Sequence, residues 1–405
     1  MTKEVKKSTR LRNVNYDLRG EALIEAERMK ESGTDVIKLN TGNPAVFGLD
    51  APPEIFEALK NNVRNCQPYS ESKGIDEARE TILKYCMTKN IPNITMDDIY
   101  LGNGVSEMIV TTMNALIDNG DELLVPMPDY PLWTAAITMI GGKVVHYLCD
   151  EESNWYPDLN DIRKKVTSKT KGIVIINPNN PTGALYPKEI LEGIIQIARE
   201  NGLILFSDEI YDRLLYDGTE HISTASLAPD LFTITYNGLS KSHMICGYRS
   251  GWISLGGDKS KVQDYIEGID LLTNMRLCSN MPGQFVIKAA MDTLDSTKQY
   301  MVPGGRFYEQ REVICKAISD VPGLSVVKPK GAFYIFPKID VKKYNIVSDE
   351  QFVLDFLKQH HVLLTNGTGF NWHKPDHFRI VYLPQVDVLK SISDKMTEFL
   401  SGYSQ

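Results

Sequence analysis

The chain reads as an α/β protein: a mostly parallel, doubly wound sheet flanked by helices, plus a second, smaller α+β domain. Three observations predict it. Between residues 95 and 256, seven short β-rich runs alternate with helical segments, the order that builds a parallel sheet through crossover helices. Several of these runs are continuously apolar, as strands covered on both faces are. After about residue 295 the pattern changes to strand pairs mixed with amphipathic helices.

In chain order, the first 45 or so residues hold one helical stretch around Gly20–Ser32 between extended flanks. They are too few to bury a core, so they are expected to pack as an arm and segment on the small domain. The strand-like runs are Ile99–Leu101, Glu122–Val125, Lys143–Leu148, Gly172–Asn177, Leu203–Ser207, Thr233–Tyr236 and Gly251–Leu255. Among the helices between them, Ser106–Ile117 carries Ile109, Met113, Leu116 and Ile117 at helical spacing and stops at Asn119-Gly120. Another is expected to open with Pro187 in its first turn and to end at Asn201-Gly202. Further on, Leu324–Val327, Ala332–Phe336, Val362–Thr365 and Phe378–Tyr382 read as strands, and Glu350–Gln359 and Val386–Leu400 as helices. The expected division is an arm over residues 1–45, a large domain over 46–295 and a small domain over 296–405.

Composition narrows the classes. Hydrophobic residues at 42% and charged residues at 24% are ordinary for a soluble globular chain. The formal charge of −8 argues against a general nucleic-acid or anionic-membrane binder, which more often carries the opposite sign. The six cysteines are scattered with no CxxC or Cys/His cluster, so no metal is expected, and reduced thiols in a cytoplasmic protein are. The basic N-terminus leads into no apolar stretch, and no run approaches a spanning helix.

Three stretches carry chemistry. Asn177–Gly183 (NPNNPTG) follows a buried strand, where α/β sheets hold ligands. Prolines and a glycine explain a tight turn, but not the two amides Asn179 and Asn180. The next strand ends in Ser207-Asp208-Glu209-Ile210-Tyr211, and a third motif, Gly238-Leu239-Ser240-Lys241, is followed by Arg249, again at a strand end. Alone, Asp208 is an ordinary helix cap and Lys241 an ordinary surface charge. Together they put Asn180, Asp208, Tyr211, Ser240, Lys241 and Arg249 at the carboxyl ends of successive strands. Pyridoxal 5′-phosphate needs that set: an amine to hold it covalently, a carboxylate for its ring nitrogen, donors to its phenolic oxygen, and cations with hydroxyls for its phosphate.

With these motifs in order and spacing, the chain resembles the class I and II aminotransferases of the fold-type I pyridoxal-phosphate enzymes over nearly its full length. More narrowly, it is similar to bacterial alanine (glutamate–pyruvate) aminotransferases. The resemblance implies that Lys241 holds the cofactor and moves the substrate proton, that Asp208 pairs with the ring nitrogen, that Tyr211 and Asn180 bond the phenolic oxygen, and that Tyr130 stacks on the ring. Gly104, Val105 and Ser106 open a helix whose free N–H groups suit a phosphate, with Ser240 and Arg249 completing the cradle. Tyr69 matches a tyrosine that reaches the phosphate from a partner subunit, which implies a homodimer with shared active sites.

For substrate, Arg379 matches the arginine that grips the α-carboxylate as a bidentate fork, and Gly42 would let backbone approach the substrate. In Tyr16-Asp17-Leu18-Arg19-Gly20, Arg19 would take the distal carboxylate of glutamate and Tyr16 would narrow the pocket; an arm salt bridge is the competing reading of Arg19. Departures at His243, Met244 and Cys246 bear on substrate preference and remove no cofactor ligand. The four tryptophans read as core, with Trp372 a possible exception. The expected activity is ping-pong transfer of the amino group between the pair L-alanine/pyruvate and the pair L-glutamate/2-oxoglutarate. Transfer from aromatic or branched-chain amino acids, or C–S β-lysis, is the alternative.

Overall fold

The computed structural model describes residues 4–12, 14, 16 and 20–405. Its first strands are β1 (Ile37–Lys38), β2 (Ile99–Asn103), β3 (Glu122–Met127), β4 (Lys143–Asp150), β5 (Tyr156–Pro157), β6 (Thr170–Ile176), β7 (Ile204–Asp208), β8 (Thr233–Gly238) and β9 (Ser250–Gly256). All seven expected runs lie in one sheet of order β2-β9-β8-β7-β6-β3-β4-β5. The sheet has eight strands rather than seven. The extra one, β5, is two residues long and pairs antiparallel to the end of β4, too short to show as a run in sequence.

Strands β4, β3, β6, β7 and β8 pair in parallel, and β9 runs antiparallel to both β8 and β2. That reversal corrects one expectation. Arg249 stands at the amino end of β9, and reaches the same sheet edge as the carboxyl ends of β7 and β8 because β9 points the other way.

Helices cover both faces. Ile109, Met113, Trp133 and Ile269 pack with Val125, Ile176 and Phe206 on one side, and Leu191, Ile194 and Ile197 pack with Ile173 and Leu205 on the other. Continuous burial of β8 and β9, and of β7 after Ile204, follows from that double cover. The helix Lys188–Asn201 ends at Gly202 with φ 64° as expected, while Pro187 is its extended N-cap rather than a first-turn residue. The helix near Ser106 is Val105–Leu116 and stops short of Asn119-Gly120.

The remaining strands are β10 (Leu324–Ser325), β11 (Tyr334–Ile335), β12 (Lys338–Ile339), β13 (Val362–Leu363), β14 (Thr365–Asn366) and β15 (Phe378–Val381), with helices Arg306–Ser319, Asp349–His360 and Val386–Ser401 around them. Helix Arg306–Ser319 escaped the sequence reading. Residue 37 pairs with 362 and 38 with 363 in parallel, so β1 extends the C-terminal part as a strand. Among the described residues no helix is long and apolar enough to cross a membrane.

Candidate active site

A cavity of about 890 Å³ opens where the carboxyl ends of β6, β7 and β8 face β15 and the segment after β1. Tyr16, Gly42, Val105, Ser106, Tyr130, Asn180, Asp208, Tyr211, Ser240, Lys241, Arg249 and Arg379 all line it. Gly104 stands just behind, as the N-cap of Val105–Leu116 with φ 79°. A Cβ there would collide with the Arg249 guanidinium, so glycine lets the helix start approach that cation. Tyr69 is elsewhere, 77% exposed. Arg19 lies outside the described residues.

Asp208 ends β7 and is buried. Burial pushes its carboxyl up to about 6, while the Trp133 indole N–H, at 3.2 Å from Oδ2, and the Ile210 N–H, at 3.3 Å from Oδ1, hold it down. The group therefore stays mainly ionised at neutral pH. Trp133 is core, as expected, but also donates to the central carboxylate. That link joins helix Leu132–Met139 to β7, and no local motif signals it.

Lys241 sits in the short helix Leu239–Ser242 after β8. Its Nζ donates to the Gly42 carbonyl at 2.6 Å and lies 3.9 Å from Cys246 Sγ. Gly42 lines the cavity, and a Cβ there would collide with Tyr334 Oη and the Phe333 ring. Arg249 donates to the carbonyls of Cys246 at 2.9 Å and Asn103 at 3.3 Å. Glu107 in turn accepts the Asn103 N–H at 2.6 Å and pairs with Arg276 at 2.7 Å, fixing the helix entry.

Arg379 stands on β15, 4% exposed. One terminal nitrogen donates to Asn180 Oδ1 at 2.9 Å and the other to the Asn40 carbonyl, while its buried Nε has no hydrogen-bond partner among the described residues. The rings of Tyr334 and Phe370 lie 4.6 and 4.5 Å from the guanidinium, contacts that favour a cation. Burial pushes its pKa down. Asn180 is thus the amide of the NPNNPTG turn that reaches across the cavity. Asn179 closes the turn itself, accepting from the Thr182 hydroxyl at 2.9 Å.

Tyr334, missed in the sequence, shares a 2.7 Å hydrogen bond with Tyr211 Oη, and the Tyr16 and Tyr130 hydroxyls are 3.2 Å apart. Trp372 is not a site residue: its Nε1 donates to Asp376 at 2.7 Å and its ring packs on Trp155.

A buried carboxylate, an amine, two cations and a helix start, converging on one cavity at the edge of a doubly wound sheet, define a group-transfer enzyme of anionic substrates. The aminotransferase class I and II family profile matches residues 34–391, and the chain belongs to that family. It is 55% identical, over 99% of each chain, to the glutamate-pyruvate aminotransferase AlaA of Escherichia coli. It is 47% identical to the alanine aminotransferase of Mycobacterium tuberculosis over 98% of this chain and 93% of that one. A solved aminotransferase from Escherichia coli superposes with TM-score 0.98 at 55% identity, each chain covered in full. The alanine aminotransferase of Pyrococcus furiosus gives 0.91 at 40% identity, with 98% and 100% covered. The chain is an aminotransferase.

Proposed function

We propose that the enzyme moves the amino group between L-alanine and pyruvate, on one side, and L-glutamate and 2-oxoglutarate, on the other, using pyridoxal 5′-phosphate. The observation that carries this reading is the convergence of Lys241, Asp208 and Arg379 on one cavity. The names of relatives that match at full length supply the substrate pair.

The residues fit the cofactor. Gly104 lacks the Cβ that would displace Arg249, the helix start at Val105 and Ser106 offers N–H groups to a phosphate, and the buried Asp208 suits a protonated ring nitrogen. When bound, pyridoxal phosphate supplies an electron sink for the substrate's Cα. Ser240, Arg249 and the Gly104–Ser106 helix start would hold its phosphate, Tyr130 its ring face, and Asn180 and Tyr211 its phenolic oxygen. Lys241 would hold the cofactor at rest and, once freed, take and return the proton at the substrate Cα. Arg379 would bind the substrate carboxylate as a fork, in place of its present bond to the Asn40 carbonyl. Gly42 shapes this end through Tyr334. Tyr16 and Arg19 would close the distal end over a methyl group or a second carboxylate.

In this reading residues 46–295 form the cofactor domain, and residues 296–405 with the first 45 form the closing domain. A homodimer is part of the proposal. Tyr69 is exposed and off its own cavity, and Met275 and Leu277 are also exposed, on a segment joined to the Tyr69 loop by the Arg276–Ser72 hydrogen bond of 2.8 Å. A second copy would cover this apolar surface and receive Tyr69. The six free cysteines support a reducing, cytoplasmic setting.

A donor–acceptor matrix on the holoenzyme tests the reading. Alanine with 2-oxoglutarate, and glutamate with pyruvate, are expected to be the best pairs. Preference for aromatic or branched-chain donors, or release of pyruvate and ammonia from a cysteine conjugate, would overturn it.

A further inference from the structure

One buried carboxylate ties the turn that carries Tyr130 to the loop in front of Arg379. Asp129 is fully buried. Its Oδ2 accepts the Thr134 hydroxyl at 2.7 Å, its Oδ1 accepts the Asn371 amide at 2.7 Å, and its own N–H donates to the Phe370 carbonyl at 3.0 Å. The first bond fixes the turn to the helix it enters. The other two reach a loop that follows β14, far along the chain. On its other side that loop is held by Asp349, which accepts the Thr368 hydroxyl at 2.8 Å and N–H at 2.7 Å. Between the two anchors lies Phe370, whose ring covers one face of the Arg379 guanidinium.

A turn does not need a buried carboxylate. Removing that group from water is costly unless its oxygens are hydrogen-bonded, and here both are, one by the helix that follows the turn and the other by the loop after β14. Asn371 presents its amide from a left-handed backbone, φ 57°, a conformation asparagine tolerates better than most residues.

We propose that Asp129 is a positioning residue for the amino-transfer reaction: by joining the Tyr130 turn to the Phe370 loop, it holds the ring-stacking face and the carboxylate-gripping guanidinium at one fixed separation. This rests on the roles given above to Tyr130 and Arg379. Loss of the tie lets Phe370 retreat from Arg379 and leaves Lys241 where it was. The consequence is weaker substrate binding with little change in proton transfer.

The test uses holoenzyme and a swap. Asn371→Asp sets two carboxylates against each other and is expected to raise KM for the amino acid and the 2-oxo acid about tenfold, with kcat changed less than about threefold and cofactor retention unchanged. In Asp129→Asn/Asn371→Asp the donor and acceptor trade places, and KM is expected to return to within about threefold of the parent. Asn371→Gly, which keeps the backbone free to take φ 57°, removes the amide without adding charge and is expected to raise KM to an intermediate extent. It decides the matter if Asn371→Asp does not fold. A swap no better than Asn371→Asp, a glycine variant with parental KM, or a loss falling on kcat or cofactor retention would overturn the inference. Arg379→Lys serves as the benchmark: if it leaves KM unaltered, the assignment of Arg379 fails first and the inference with it, whereas a benchmark that works beside an inert Asn371→Gly rejects Asp129 alone.

Discussion

The two ends of the cavity are built in different ways. At the end proposed to hold the cofactor, Asp208, Ser240 and Lys241 stand on or just past the ends of the adjacent strands β7 and β8, whose parallel register sets Asp208 opposite Tyr236. At the end proposed to bind substrate, Arg379 rests on a four-residue strand and takes its position from Asn40, Asn180, Tyr334 and Phe370, which come from four separate stretches of chain. The first end is a property of the sheet. The second is a property of packing between distant segments, so single changes there should loosen binding before they stop chemistry.

Lys241→Ala sharpens the comparison most. Removing the one amine proposed to hold cofactor and carry the proton should lower steady turnover by at least about 10⁴-fold, measured as 2-oxoglutarate-dependent pyruvate formation; normal turnover would sink the mechanism. Next, Arg379→Lys loses the planar fork, and should raise KM for amino and oxo acids alike by about 100-fold with a smaller fall in kcat. A fall confined to kcat would erase the contrast between the two ends.

Trp133→Phe deletes the N–H that Asp208 accepts. We expect about a tenfold lower kcat with KM nearly unchanged and a shifted absorbance titration of the bound cofactor. An unchanged titration would make Trp133 packing only.

The smallest expected effect concerns pH. Burial pushes the carboxyl of Asp129 up to about 7 and that of Asp208 up to about 6, above the ordinary value of about 3.9. Across that window the folded cofactor-free protein retains protons that the unfolded chain has released, so these groups make it less stable as pH rises from about 4 to about 7. Asp129→Asn removes one of them, and the fall in Tm between about pH 5 and 8 should flatten by roughly 1–3 °C. A slope as steep as the parent's in differential scanning calorimetry would contradict the burial argument.

The seven long strands and the motif residues Asn180, Asp208, Ser240 and Lys241 were legible because strand-end motifs are local: strand, turn and side chain are contiguous, and the sheet does the rest. Arg249 was legible as a residue but not in its placement, because strand direction follows from pairing rather than from the run itself. Trp133, Tyr334 and Asp129 gave no sign beyond their hydrophobic or turn-like surroundings, since each acts through a partner far along the chain. Gly42 is legible as a site glycine, but its packing against Tyr334 and Phe333 is not, because those rings lie far along the chain.

By itself the sequence determined the fold class, the seven runs that become the large sheet's long strands, and a set of groups whose chemistry matches one cofactor. Only the tertiary structure decided which of those groups meet, that β9 runs backwards so Arg249 shares the edge, and that Arg379 lies buried between two rings with Asn180 at its tip. The physical reason is one of range. Periodicity and turn chemistry act over a few residues, whereas a hydrogen bond between Asp129 and Asn371 exists only after the chain has closed on itself.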